Sequence, residues 1–231
     1  MMMMTIRLFR FVLVVSFFLL SNLALSQIKD ACLWSSIDAK TSLFKNLQLK
    51  IEIAYRLNEN VQQTEKIYAE TGFEYQLNKI FSIAGKYRFI KKNLHNDHFF
   101  ATRHLYGTEL KTTYVVNQFE FNWTSKYQIN QFDNAEHDWG NTKLTSCNRN
   151  KFSIEYRIKK AEIKTYFFYE MFVPLFSSSY YFVNEHRTGF GLKYNLNNTN
   201  AVKLTFMFEE EKENDEIYKN FIGSIAYSIK L

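Results

Sequence analysis

Carboxylates and guanidinium groups interleave along this chain: Glu52 with Arg56, then Glu74, Arg88, Arg103, Glu155 with Arg157, and Glu185 with Arg187. An arginine fork pairs with a carboxylate through two parallel hydrogen bonds. Gathered in one interior, these groups would form an ion-pair network that largely closes it. Left open, Arg88, Arg103, Arg157 and Arg187 would line a narrow polar pore or ligand cavity as anion contacts. Hydrolytic chemistry needs a nucleophile, a base and an orienting group within hydrogen-bond reach. Ser177, Ser178 and Ser179 with His104 and His186 supply the residue types. Both histidines fall on the aromatic side of their segments, however, and no Ser–His spacing resembles that of a barrel phospholipase. No catalytic residue is assigned, and a lipid-modifying hydrolase (lipase or lipid A deacylase-like) is carried only as the alternative. His95, Asp97 and His98 offer two imidazoles and a carboxylate without an evident third ligand, so no metal site is assigned. Residues 209–216, EEEKENDE, read as a solvated acidic outer loop, with divalent-ion bridging to lipopolysaccharide as the sharper reading. No cofactor is expected.

The elements that would position these groups alternate with period two. In residues 47–58, Leu47, Leu49, Ile51, Ile53, Tyr55 and Leu57 share one side of an extended chain. Gln48, Lys50, Glu52, Ala54 and Arg56 share the other. Similar segments cover 66–77, 81–90, 98–114, 118–129, 151–159, 161–173, 180–196, 201–209 and 217–231, with a weaker first strand near 33–43. The aromatic and aliphatic side faces out and the charged side faces in. The inward list adds Glu70, Lys86, Glu109, Glu120, Lys126, Glu162, Lys164, Glu170 and Lys193.

A secreted β-sandwich also alternates and is the competing architecture. Two features favour a membrane barrel. Many segments reach ten or more residues, and a spanning strand needs about nine to eleven. The connections also alternate in length: short at 45–46, 78–79, 115–116, 159–160 and 197–200, longer at 59–65, 91–97, 132–150, 174–179 and 210–216. Short periplasmic turns and longer outer loops are the bacterial outer-membrane arrangement. The 23 Phe and 15 Tyr suit strands and membrane interfaces, and a single Pro suits unbroken ladders. The expectation is one all-β, antiparallel transmembrane barrel of 10–12 strands. An odd count would put the start of the first strand at the outer end, near the long loop carrying Cys147. A Cys32–Cys147 disulfide then stands as a hypothesis against two free thiols.

Residues 11–20, FVLVVSFFLL, follow Arg7 and Arg10 and precede a small-residue stretch ending at Ser26. That is the pattern of a secretory signal peptide, so residues 1–26 are expected to be removed and 27–231 to form the barrel. The net charge is +6, but Lys and Arg alternate with Glu and form no basic run, which disfavours nucleic acid. The expected partners are outer-membrane lipid, lipopolysaccharide and the barrel-assembly machinery.

Several strand patterns together carry a resemblance: Leu33-Trp34-Ser35-Ser36, then Gly72-Phe73-Glu74-Tyr75-Gln76-Leu77, Gly85-Lys86-Tyr87-Arg88, Glu155-Tyr156-Arg157, the run from Arg187 to Tyr194, and Gly223 with Tyr227. The chain resembles domain-of-unknown-function family 2490, outer-membrane barrels of Bacteroidota, over nearly all of 27–231. The resemblance implies location and architecture and supplies no catalytic residues. Many such barrels end in Phe, whereas this chain ends in Leu231.

Overall fold

The alternation of residues 47–58 becomes strand β2 (Leu47–Asn58), in which Ala54 is buried while Ile51 and Ile53 are exposed. The computed structural model describes residues 30–94, 99–132, 143–158, 161–175, 182–213 and 216–231. The export segment expected at 1–26, the His95/Asp97/His98 cluster, Ser177–Ser179 and the Lys159-Lys160 turn lie outside these residues. The remaining strands are β1 (Asp30–Phe44), β3 (Gln63–Gln76), β4 (Phe81–Leu94), β5 (Phe99–Val116), β6 (Phe119–Phe132) and β7 (Lys143–Arg157). They continue as β8 (Ile163–Leu175), β9 (Glu185–Asn195), β10 (Asn200–Glu213) and β11 (Glu216–Lys230). The eleven strands close into a barrel in which each pairs with its sequence neighbours and β1 meets β11.

Ten of the seams are antiparallel, as expected. The closing seam is parallel, running from Asp30↔Asn220 to Lys40↔Lys230. The cause is parity: in an up-and-down meander with an odd number of strands, the first and last run the same way. Both β1 and β11 therefore run from the end with the longer loops (the loop end) to the end with the short turns (the turn end). Asp30 helps to fix the loop end. Its carboxylate accepts hydrogen bonds from the backbone N–H of Glu59 (3.1 Å) and Asn60 (2.7 Å). These bonds hold a loop in which Glu59, Asn60 and Val61 all have positive φ, costly for a β-branched residue such as Val61.

Several boundaries differ from the sequence expectation, among them β3 starting at Gln63, β4 running to Leu94 and β9 starting at Glu185, and three more have a physical reason. The short turn placed at 115–116 is Asn117-Gln118, with Asn117 in the left-handed conformation that asparagine tolerates. The long loop expected over 132–150 is shorter, because β7 starts at Lys143 and pairs with β6 from Lys143↔Phe132 onward. Its polar first half, KLTSCNRN, hides the alternation, but the backbone still needs its ladder. Of the acidic segment expected as a solvated loop, the described residues 209–213 and 216 are strand. β10 continues to Glu213, β11 resumes at Glu216, and Glu209 is buried.

The outward side carries the exposed Phe, Tyr, Ile and Leu. The inward side is not purely charged. Cys32, Tyr166, Phe168, Met207 and Ile222 form one apolar cluster, with Trp34 against it, and Ala54, Tyr68, Ile90 and Leu105 form another. Two inward glycines make room for the first cluster. A Cβ on Gly189 would meet Phe168 Cε1 at 2.7 Å and Met207 Cβ at 2.8 Å. A Cβ on Gly191 would collide with the Tyr166 hydroxyl and the Leu204 carbonyl oxygen. That oxygen accepts from Tyr166 Oη at 3.2 Å. Gly191→Ala should therefore displace the ring or the β9–β10 ladder and cost about 1–3 kcal/mol. Urea titration of the folded barrel checks this. Gly85→Ala, with nothing within 4 Å of its Cβ, is the control expected to change little.

Candidate functional site

The lumen is crossed by two ion-pair networks. The first centres on Arg187 of β9. Its Nη2 lies 2.5 Å from Glu185 Oε1, its Nε donates to Glu209 Oε2 at 2.5 Å, and its Nη1 is 3.9 Å from Glu170 Oε2. Glu170 of β8 also receives a two-pronged contact from Arg149 of β7, Nε to Oε1 at 2.5 Å and Nη2 to Oε2 at 2.9 Å. Asn220 Nδ2 donates to Glu209 Oε1 at 2.8 Å, which ties in β11. The Trp34 ring on β1 faces the Arg187 guanidinium at 5.2 Å and the Arg56 guanidinium at 3.6 Å. One connected set of contacts thus runs from β7 to β2 through the closing seam.

The second network spans β3 to β6. Arg88 pairs with Glu70 at 2.5 Å, Lys86 reaches Glu70 at 3.3 Å and Glu109 at 2.9 Å, and Lys126 reaches Glu109 at 3.2 Å. Lys111 bridges Glu109 at 3.8 Å to Glu74 at 2.5 Å, and Ser82 Oγ donates to Glu74 at 2.8 Å. The Arg88 guanidinium also lies over the Tyr68 ring at 4.0 Å. Glu70, Glu109, Lys126 and Glu170 are all buried. Charges so far from water persist because each of these carboxylates has at least two cationic neighbours.

The residues expected to share one charge network fall into several places. Glu74 and Arg88 belong to the second network, and Glu185 and Arg187 to the first. Glu52 is held by Lys50 at 3.0 Å and by the Tyr68 hydroxyl at 2.8 Å. Arg56 stacks between Trp34 and Tyr68. Arg103 lies over the Phe132 ring at 4.4 Å. Glu155 faces Lys164 at 3.5 Å near the turn end, where Lys164 also meets Glu120 at 3.3 Å. Arg157 is exposed at the end of β7, beside a small cavity of about 60 Å³.

The Cys32–Cys147 bridge does not form. Both thiols are free, because β1 and β7 stand on different walls, with β8 to β11 between them on one side and β2 to β6 on the other. Cys32 Sγ donates to Asp30 at 3.3 Å, and Cys147 Sγ donates to Gln128 at 3.9 Å.

Arg149, Lys151 and Glu209 escaped the sequence reading. Parity carries the signal for all three. Counting back by twos from Glu155 reaches Lys151 and Arg149, and counting forward from Lys203 and Thr205 reaches Glu209. The two histidines do face out. His104 Nδ1 shares a 2.8 Å hydrogen bond with the Tyr87 hydroxyl, and His186 lies 3.9 Å from Glu210. Among the described residues no group of His, Cys, Asp and Glu is placed to hold a metal ion.

The closed barrel is similar in fold to solved barrels of autotransporters and a porin. The β domain of the Bordetella autotransporter BrkA aligns with a TM-score of 0.51 at 8% identity, covering 78% of this chain and 82% of that one. The translocator domain of the autotransporter NalP from Neisseria meningitidis aligns with a TM-score of 0.44 at 11% identity, over 78% and 73%. An anion-selective porin from Comamonas acidovorans aligns with a TM-score of 0.37 at 13% identity, over 78% and 55%. At these identities the likeness concerns the fold alone. No curated protein matches the chain significantly. Residues 31–219 match the model described as a protein of unknown function, DUF2490, and the chain belongs to that family.

Proposed function

We propose that the chain is an outer-membrane barrel, with its turn end in the periplasm, whose lumen is closed by ion pairs and whose role is structural and non-catalytic. The supporting observation is that the inward charges join across neighbouring strands. Arg187 ties β8, β9 and β10 together, and Glu70, Lys86, Glu109 and Lys126 tie β3 to β6. Barrels near eight strands are filled by side chains and those of sixteen or more are open channels; eleven lies between, and here the inward Trp34, Phe168 and Arg187 side chains favour filling. Planar-bilayer recording tests this. Silence or very small steps are expected, and steady porin-sized steps would overturn it. The hydrolase alternative has its own readout. Overexpression should leave lipid A and phospholipid masses unchanged, and a mass change abolished by His104→Ala or His186→Ala would establish it.

A further inference from the structure

Cations crowd the turn-end half of the lumen beyond what the two networks explain. Lys203, Lys193, Lys164 and Arg157 stand directly opposite one another across β10, β9, β8 and β7. Lys230, Lys40 and Lys50 do the same across β11, β1 and β2. Like charges directly opposite on neighbouring strands destabilise a sheet. The nearby carboxylates are largely taken. Glu120 and Glu155 face Lys164, Glu52 holds Lys50, Glu74 holds Lys111, Asp38 accepts from Ser228, and Glu162 accepts from Asn195. Among the described residues, no carboxylate oxygen lies within 4 Å of the ammonium of Lys40, Lys151, Lys193, Lys203 or Lys230. Lys151 and Lys203 lie instead over the faces of Phe168 (4.1 Å) and Tyr166 (4.4 Å). Both line one cavity of about 230 Å³, together with Lys111, Thr124 and Ser153 and with Glu120 and Glu155 on its wall.

We propose that this cavity binds a compact multivalent oxyanion, a phosphate or polycarboxylate, between Lys151 and Lys203, with the Ser153 and Thr124 hydroxyls donating to it. The Lys193–Lys164–Arg157 row lies toward the turn end and raises the local anion concentration there. At about 30 Å³ per water the cavity has room for such an anion with part of its hydration shell. The closed-lumen reading enters only in making the site a dead end instead of a passage.

The test is calorimetric titration of the detergent-folded full barrel with inorganic pyrophosphate and, in parallel, citrate. Lys203→Gln and Lys151→Gln should each weaken binding at least tenfold, while Lys91→Gln, on the outward face beside Thr102, leaves it unchanged. Amine-reactive labelling of the wild-type protein needs no variant to fold. Pyrophosphate should slow modification of Lys151 and Lys203 and leave Lys91 unaffected. Failure of both anions to bind, or equal binding by the variants, would overturn the site. Protection already present in phosphatidylglycerol nanodiscs without pyrophosphate would overturn a soluble anion as the occupant, since lipid headgroups would then supply the phosphate. Binding together with porin-sized conductance would support the site while removing the closed lumen, so the two readings fail separately.

Discussion

Replacing Arg187 with leucine is expected to destabilise the barrel by about 3–5 kcal/mol, the largest loss of any single inward substitution. The guanidinium contacts carboxylates from three strands, Glu170, Glu185 and Glu209, and its side chain is only 12% exposed. Among the described residues, leucine would leave Glu185 and Glu209 without a cation within ion-pair distance, while Glu170 would keep Arg149. The cost is thus mainly that of stranded buried charge, not of the lost attraction, because a buried pair gains little over an apolar replacement of both partners. The double variant Arg187→Leu/Glu209→Gln should therefore recover part of the loss. Arg157→Gln, at the exposed end of β7, should stay within about 0.5 kcal/mol. Urea titration of the bilayer-folded protein, read by its heat-modifiable band on gels, measures all three. Equal losses for Arg187 and Arg157 would show that the network does not bear on stability.

The contrast between those two arginines also shows how much the sequence could say. Alternation in β2 and β9 gave the closed barrel, the inward side and the parity of Glu185 and Arg187, because a strand admits only two faces. It could not say which inward charges meet. Contact around a barrel depends on the stagger between strands, and stagger is set by turns and bulges such as the one between Arg56 and Leu57. Arg149 was lost because polar residues on both faces of β7 hide the period. Glu209 was lost because a run of acids looks like a loop whichever way its members point. The apolar inward cluster around Phe168 and Ile222 is not legible in the pattern, because only charged and polar residues mark the inward side there, and an apolar residue among them carries no sign of its own. Gly189 and Gly191, opposite Phe168 and Tyr166, held the clue, since two inward glycines on one strand leave a space that large neighbours fill.

Phe190→Arg is the substitution that separates a lipid-facing outer surface from a wet one. Phe190 stands midway along β9, is 60% exposed, and lies in register with Phe206 on β10 and Phe167 on β8. Its ring centroid is 5.8 Å from that of Phe206. If water bathed this face, exchanging an exposed phenylalanine for arginine would change stability by no more than about 0.5 kcal/mol. In a bilayer the same exchange puts a guanidinium at the hydrocarbon midplane and costs about 2–4 kcal/mol, falling to about 0–1 near the interfaces. Tyr194→Arg, on the same face one strand-end closer to the turns, should therefore be nearly neutral. The expected signature is a gradient along β9, steep at Phe190 and flat at Tyr194, in urea titrations from phosphocholine bilayers. Two flat responses would mean that the aromatic rows of β8, β9 and β10 face water, and a barrel with both surfaces wet would have no reason to place Phe outside and Glu within.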